Sequence, residues 1–362
     1  MNPPLGAIAH IDTSALVHNL SRVRASAPNS RVLAVIKADA YGHGLLNVAR
    51  ALRDADGFAV ARLVEAQALR AAGMTQRIVL LAGVHDADEF RLVAQLAIDI
   101  VVHHRAQVEL LEQAPPGVRL NVWLKVDSGM HRLGVPPAAV AELHARLSRC
   151  AALGEPLRVM SHLADADELD SDTTAQQIDT VYECTAGLNA ELSIANSAGV
   201  LAWPGAHTQW VRPGIMLYGI SPFARHTGLD HALRPAMTLS TRVFAINDIS
   251  KDSPIGYGGT YTTPEAMAIG AAAVGYADGY PRHLPNGTRV LVDGQSVPIV
   301  GRVSMDTITL DLRHHDAARI GSKVVLWGDF LPIETVASGA GTIAYELLCR
   351  VGSRVPRVLV SA

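Results

Sequence analysis

Cysteine is scarce in this chain: there are three in 362 residues, Cys150, Cys184 and Cys349, widely separated and with no CxxC pair or His–Cys cluster. That argues against a disulfide framework and a thiolate metal site, so no metal is expected and a reducing cytoplasm suits the composition. An excess of charge of one sign is also missing, with 31 basic against 34 acidic residues and a net charge of −3. No global electrostatic footprint for nucleic acid or an anionic membrane exists, and small-molecule partners are expected instead. Long apolar runs are missing too. The segment 266–277 is broken by Gly270, Gly275 and Tyr276, and it falls short of the roughly 18–20 residues that a bilayer demands. The start, MNPPLGAIAHID, has no basic leader and reaches Asp12 before an apolar stretch develops. A soluble cytoplasmic protein, not exported by this end, is the expectation.

What is present is a folded chain of two domains, with 49% hydrophobic and 18% charged positions over 362 residues. From Arg31 to Gly219, apolar strand-like runs alternate with segments of helical spacing. The runs are VLAVIKA (32–38), FAVA (58–61), IVLLAG (78–83), DIVVH (99–103), VWLKVD (122–127), RVMSHLA (158–164), ELSIAN (191–196) and WVRPGIMLYG (210–219). Between them, HGLLNVARALRDA and PPAAVAELHARL place apolar residues every three or four positions, the second opening on Pro136 and Pro137, which suit a helix start. Eight strands with intervening helices predict an α/β fold, a TIM-type (β/α)8 barrel, with a doubly wound open sheet as the alternative. Beyond about Leu233 the pattern turns to β alternation with turn signals at Asn286-Gly287 and Asp293-Gly294, and TRVLVDGQSVPIV reads as a hairpin. Helical content is expected there only near Ile343 to Cys349. The boundary falls at Arg234-Pro235, giving a barrel domain over 1–234 and a mainly β domain over 235–362.

Catalytic groups of such a barrel gather at the C-terminal ends of its strands. Those ends carry Lys37, Lys125 with Asp127, His162, Asn196 with Ser197, and Arg212 with Gly214. Lys37 leaves a buried apolar strand, where desolvation favours the free amine that forms Schiff bases, or else it snorkels to solvent. NSAG and RPGI in the last two βα loops offer phosphate donors at Ser197, Gly199, Gly214 and Ile215, with Tyr41 reaching across, although NSAG alone is a weak signal. A strand-end lysine and a phosphate anchor together point to pyridoxal phosphate. Arg212 facing the pyridine nitrogen would leave that ring largely neutral, since guanidinium does not give up its proton; a surface ion pair is the alternative role.

KADAYGHG (37–44), KVDSGMHRLG (125–134), SHLADADE (161–168), NSAG (196–199), VRPGIMLYG (211–219), IGYGGTY (255–261), VGYADGYPR (274–282) and GRVSMD (301–306) run in order along the chain. Together they resemble the alanine racemases, fold-type III pyridoxal-phosphate enzymes, over nearly its whole length. The resemblance implies an isomerase that interconverts L- and D-alanine with pyridoxal 5'-phosphate, supplying D-alanine for peptidoglycan or recycling it. It also implies a homodimer with shared active sites. By that resemblance Lys37 holds the cofactor as a Schiff base and is the base on the D side, while Tyr257 from the partner's β domain is the base on the L side. Two bases on opposite faces are what inversion requires. His162 stands by Tyr257 and Arg212. Arg132 contacts the cofactor's phenolic oxygen and the substrate carboxylate, for which the Met305 backbone is a second donor. Asn196 belongs to the cofactor site, and Tyr41, Ser197, Gly214, Ile215 and Tyr345 hold the phosphate. Lys125 matches a lysine carbamylated in several members, or is an ordinary lysine paired with Asp127 or solvent. Asp306 supports the site from behind, and Tyr276, Tyr345, Asp167 and Arg282 line the substrate corridor, or simply pack.

The chain departs from the family pattern at Leu163, where a Phe is common, at Ser304, where a Cys is common, and at Ile8, where an aromatic often stands. None of these removes a catalytic group. A broad-specificity racemase for serine, lysine or arginine is the same-fold alternative, against which Tyr345 and Tyr276 argue. A non-catalytic pyridoxal-phosphate carrier would lack the second domain, and a decarboxylase of this fold type would need an acid where Arg212 stands.

Overall fold

The apolar runs do close on themselves. In the computed structural model, which describes residues 5–360, eight parallel strands form a closed barrel. The chain begins with β1 (Ile8–Asp12), followed by the barrel strands β2 (Arg31–Val35), β3 (Gly57–Val60), β4 (Arg77–Leu80), β5 (Asp99–Val102), β6 (Val122–Lys125), β7 (Arg158–Met160), β8 (Glu191–Ser193) and β9 (Trp210–Val211). Strands covered on both faces are mostly apolar, and β3 and β5 are buried at every position, with Asp99 at the start of β5 the charged exception. The seam closes where β2 pairs with β9, Arg31 beside Trp210 and Val32 beside Val211.

A ring of polar groups plugs the N-terminal mouth of the barrel. The Trp123 indole donates to Asp99 at 2.9 Å, the Trp210 indole donates to Glu191 at 2.9 Å, and Arg77 pairs with both Asp99 and Glu155. Arg158 spans Glu155 at 2.6 Å and Glu191 at 3.0 Å, and the Arg31 guanidinium lies 4.3 Å over the Trp210 ring. These residues sit at strand starts, opposite the end where βα loops collect, so their work is structural.

The second region is β10 (Met237–Ile249), β11 (Pro254–Ile255), β12 (Tyr261–Thr262), β13 (Met267–Ala272), β14 (Arg289–Val292), β15 (Gln295–Pro298), β16 (Ile308–Asp311), β17 (Lys323–Trp327) and β18 (Arg357–Val360). The main sheet runs β15-β14-β17-β10-β1-β18, with β13 and β16 attached through β10. The β14–β15 hairpin turns at Asp293 and Gly294, both with positive φ of 46° and 88°. That conformation is what a type I′ turn asks for.

Three features differ from the sequence expectation. First, β1 lies before the barrel in sequence yet pairs antiparallel with β10 and parallel with β18. Asp12 ends it and turns the chain back, accepting from the Ser14 and Ala15 amides at 2.8 and 3.1 Å to cap the helix Thr13–Ser26. Second, β2 stops at Val35, and Ala38, Asp39, Ala40 and Tyr41 all take left-handed backbone angles with φ of 52–56°. Third, the second region contains a helix over Ile333–Gly339 besides Ala344–Arg350; its short apolar face gave too little periodicity to announce it.

The two regions share one continuous hydrophobic core, from Ile11 through the barrel to Trp327. Asn19 stitches the seam by donating to the carbonyls of Leu217 and Arg234 at 3.0 and 2.8 Å and accepting from the Arg234 amide at 2.8 Å. Beside it Gly219 is obligatory, because its φ is +83° and a Cβ would stand 1.8 Å from the Arg234 carbonyl oxygen. Residues 1–4 and 361–362, which the domain bounds drawn from sequence include, lie outside the described residues. No helix among the described residues is long and apolar enough to cross a membrane.

Candidate active site

Lys37 emerges just past β2 at the C-terminal mouth. Its amine is pulled below the ordinary lysine range, first by burial and then by the nearby Arg132 guanidinium. The left-handed turn behind it costs roughly 1–2 kcal/mol per residue, so it must be over-determined by its neighbours. Glu65 supplies much of that restraint, its carboxylate accepting from the amides of Ala38 (2.7 Å), Ala61 (2.9 Å) and Arg62 (3.0 Å). Asp39 accepts from the Leu45 amide at 2.7 Å. His43 closes the turn, with Nδ1 at 3.1 and 2.9 Å from the carbonyl oxygens of Ala40 and Tyr41.

Arg212 is 5% exposed and makes no ion pair among the described residues. Its terminal nitrogens are spent on carbonyls at strand ends: NH1 donates to the Ser193 carbonyl at 2.7 Å and to Ser193 Oγ at 2.8 Å, and NH2 donates to the carbonyls of Ser161 and Ile194. Nε has no hydrogen-bond partner among the described residues. Burial without a counter-anion brings the guanidinium down to about 10, still charged at neutral pH. His162 Nδ1 sits 3.3 Å from Arg212 NH2 and accepts from it. Burial, reinforced by Arg212 and Lys125, holds His162 well below the usual imidazole range. It is therefore neutral, with the proton assigned to Nε2. Lys125, at the end of β6, is drawn to about 8 by burial and by the charges of Arg212, Arg132 and Lys37.

The phosphate-like corner is built from small parts. Ser197 Oγ accepts from the Gly214 and Met216 amides at 2.9 and 3.3 Å. Gly214 is without a side chain for a reason: a Cβ there would meet Tyr41 Oη at 2.6 Å. Tyr41 stacks on Tyr218 at 4.7 Å and faces Tyr345 at 6.0 Å. Ile215, the residue after Gly214, is buried. The amide of Asn196 is engaged by the protein, Oδ1 accepting from Gly199 N at 2.9 Å and Nδ2 donating to the Leu163 carbonyl at 3.3 Å.

Other expected site residues stand apart from this cluster or at its rim. Tyr257 is 67% exposed on the β region, in a loop whose Gly256, Gly258 and Gly259 all have positive φ, and it makes no hydrogen bond to the Lys37 cluster of its own chain. Met305 is 53% exposed and tied to the Tyr276 turn, its carbonyl accepting from Ala277 N at 3.0 Å. Asp306 is bound by Arg354, which also pairs with Asp278. Arg132, Asp167 and Arg282 are exposed. Asp167 lies close enough to Tyr345 to help raise its phenol further above the usual range, burial being the larger cause. Arg282 lines an open cleft of about 390 Å³ with Arg302 and His283.

Sequence reading missed the groups that aim these side chains. Gln177, buried in the helix Thr173–Thr185, donates to the His162 carbonyl at 3.2 Å and accepts from the Ala164 amide at 2.8 Å. Ser128 and Ser161 hydrogen bond each other at 2.7 Å beneath Lys125 and His162. Glu65, Gln177 and Ser193 act through backbone atoms of distant strands, and no local pattern announces such contacts.

The description "Alanine racemase, N-terminal domain" fits the family model matching residues 11–222, and "Alanine racemase, C-terminal domain" the one matching 236–359. A curated alanine racemase from Nitrosococcus oceani is 53% identical over 351 residues, 97% of this chain and 98% of its own. The crystal structure of the biosynthetic alanine racemase from Pseudomonas aeruginosa superposes with a TM-score of 0.95 at 44% identity, covering 99% of this chain and 100% of that one. An alanine racemase from Bartonella henselae with covalently bound pyridoxal phosphate superposes with a TM-score of 0.89 at 30% identity, covering 99% of this chain and 100% of that one. Matched in order through both regions and at nearly full length on either side, the chain belongs to the alanine racemase family.

Proposed function

We propose that this protein interconverts L- and D-alanine with pyridoxal 5'-phosphate as cofactor, as a cytoplasmic homodimer in which each site is completed by the partner's β region. The division into 1–234 and 235–362 is retained for this purpose, with β1 counted structurally in the second sheet. The observation that carries the reading is the buried Arg212, which has no counter-anion among the described residues and lies beside the depressed amines of Lys37 and Lys125. A planar anionic cofactor suits that surplus of positive charge. It also suits the cradle at Gly214, where any side chain would strike Tyr41.

Lys37 would hold the cofactor, Arg212 would meet its ring nitrogen, and Tyr41, Asn196, Ser197, Gly214, Ile215 and Tyr345 would line its phosphate end. Bound there, pyridoxal phosphate supplies the electron sink that makes an amino acid's α-proton acidic. The chain's own residues move the proton. Lys37 Nζ, already biased toward its free-amine form, takes or returns it on the D face, and Tyr257 Oη does so on the L face. Neutral His162, fed by Arg212 at Nδ1, has Nε2–H to donate toward an ionised phenol, which lowers the cost of using a group with an ordinary pKa near 10 as a base. Arg132 and the Met305 backbone would hold the substrate carboxylate. Tyr276, Asp167 and Arg282 would border its entry, and Asp306 would steady Met305 through Arg354.

The test is an exchange experiment in D₂O, with purified protein, pyridoxal phosphate and L-alanine in one sample. Loss of the α-proton with approach to equal enantiomers is expected. Cofactor binding without exchange would refute alanine as substrate, and serine and the basic amino acids would then be tried.

A further inference from the structure

A cavity lies where barrel and β region meet. Its lining includes His43, Tyr218, Trp327 and Glu334, and about 10 Å³ of it is open to the centre of a water molecule. That is about the room one water requires, since a buried water needs ~10–15 Å³ and two to four polar partners. Two lining residues carry fully buried polar atoms with no hydrogen-bond partner among the described residues, Nε2 of His43 and Nε1 of Trp327.

Their chemistry is complementary only through a third body. The indole Nε1–H of Trp327 can only donate. His43 Nδ1 faces two carbonyl oxygens, of Ala40 and Tyr41, so Nδ1 carries the hydrogen. Burial brings the imidazole down to about 4, which keeps it neutral, and Nε2 is then left as an acceptor. Glu334, whose Oε1 takes the Ser221 and Gly228 amides at 3.1 and 2.9 Å, contributes a carboxylate to the same lining. A water molecule in this cavity would have a role for each group, accepting from Trp327 and donating one hydrogen to His43 and the other to Glu334.

We propose that one buried water is bound at this seam by Trp327, His43 and Glu334, and that it fixes His43 as the Nδ1–H tautomer bracing the left-handed turn behind Lys37. His43 is thereby a positioning residue. Its Nδ1–H holds the last two carbonyls of the turn, and its ring packs 4.6 Å from Tyr218, which stacks on Tyr41. The Trp327 ring is itself held in place, stacked on Tyr280 at an interplanar angle of 18°. The water site stands on this packing alone; only its consequence for Lys37 rests on the catalytic reading above.

Crystals of the holoenzyme test the site directly. A peak at about 2.6–3.2 Å from both Trp327 Nε1 and His43 Nε2 is expected. Ordered side chains with no peak between them would overturn the proposal. In ¹⁵N-histidine-labelled holoenzyme, His43 is expected as the Nδ1–H tautomer with a hydrogen-bonded Nε2; a proton on Nε2 would overturn it as well. Trp327→Phe keeps an aromatic ring, though a smaller one, and deletes the donor. It is expected to shift the His43 Nε2 resonance and to weaken pyridoxal phosphate binding about fivefold, the scale of one lost hydrogen bond. An unchanged Nε2 resonance in a folded variant would count against the site, and an unchanged cofactor affinity beside a shifted resonance would remove the positioning role. The first two readouts use the unsubstituted protein, so they hold even where the variant does not fold.

Discussion

At the mouth of the barrel, burial weakens the hold of Lys37 and Lys125 on their protons, and the charges of Arg132 and Arg212 weaken it further by Coulomb repulsion. Lys125 shows the consequence, because an amine near 8 is appreciably free at neutral pH. Carbon dioxide adds to a free amine, forming an N–C bond and releasing a proton, and the cation becomes an anion beside Arg132 and Arg212. Incubation with ¹³C-bicarbonate is therefore expected to give a protein-bound carbamate resonance that is missing in Lys125→Arg, whose guanidinium stays protonated. A resonance that persists in that variant would assign the carbamate elsewhere. Tyr257 poses the opposite problem, a proposed base in open solvent. Tyr257→Phe should keep cofactor absorbance and lower exchange starting from L-alanine by about 10²–10⁴-fold, the usual worth of a general base, with a smaller loss from the D side. Unchanged rates from L-alanine would end its assignment. Candidates of this kind could be proposed from sequence because their motifs are contiguous, as in KADAYGHG. Glu65 and Gln177 were not, since each works by gripping the backbone of another strand, and a Glu or Gln in a helix looks the same whether or not it does so.

The barrel strands were readable as elements because burial on both faces leaves mostly apolar side chains between polar strand ends, and all eight runs became strands. Their ends were less so. VLAVIKA continues past Val35 with strand-like residues, but Glu65, Asp39 and His43 bend Ala38–Tyr41 into the left-handed region, a tertiary effect that overrides local preference. The short β1 was hidden for a similar reason: its partners, β10 and β18, lie more than 200 residues away. The strand starts carry a prediction of their own. Burial alone would raise the Glu191 carboxyl, but hydrogen bonds from Trp210, Arg31 and Arg158 outweigh it and hold it near 2, against 4.5 when unfolded. A carboxyl with a depressed folded pKa stabilises fully above its unfolded value and loses that contribution as pH falls through the folded one. Wild type should melt above Glu191→Gln at pH 7, and thermal denaturation should show the gap closing as pH falls from about 4.5 toward 2. A gap that stays constant across that window would mean the ring acts through packing rather than charge.

For the whole molecule, the telling observation is that Tyr257 is 67% exposed and makes no hydrogen bond to the Lys37 cluster of its own chain. A small hydrophobic cluster of Ile255, Met267, Ile269 and Val300 underlies that loop, so it is a built projection. A site assembled from two chains makes a quantitative prediction that a site within one chain does not. Lys37→Ala retains Tyr257, and Tyr257→Phe retains Lys37, so each homodimer has two defective sites. When the two variants are unfolded together, refolded and allowed to pair at random, about half of the dimers are mixed by the statistics of two-fold assembly. Each mixed dimer has one site with both native residues and one with neither. Racemase activity should therefore recover to about a quarter of the wild-type value, far above either variant alone, and the recovery should require mixing before assembly. If both bases came from the same chain, every site in every dimer would still carry one defect, and mixing would restore nothing.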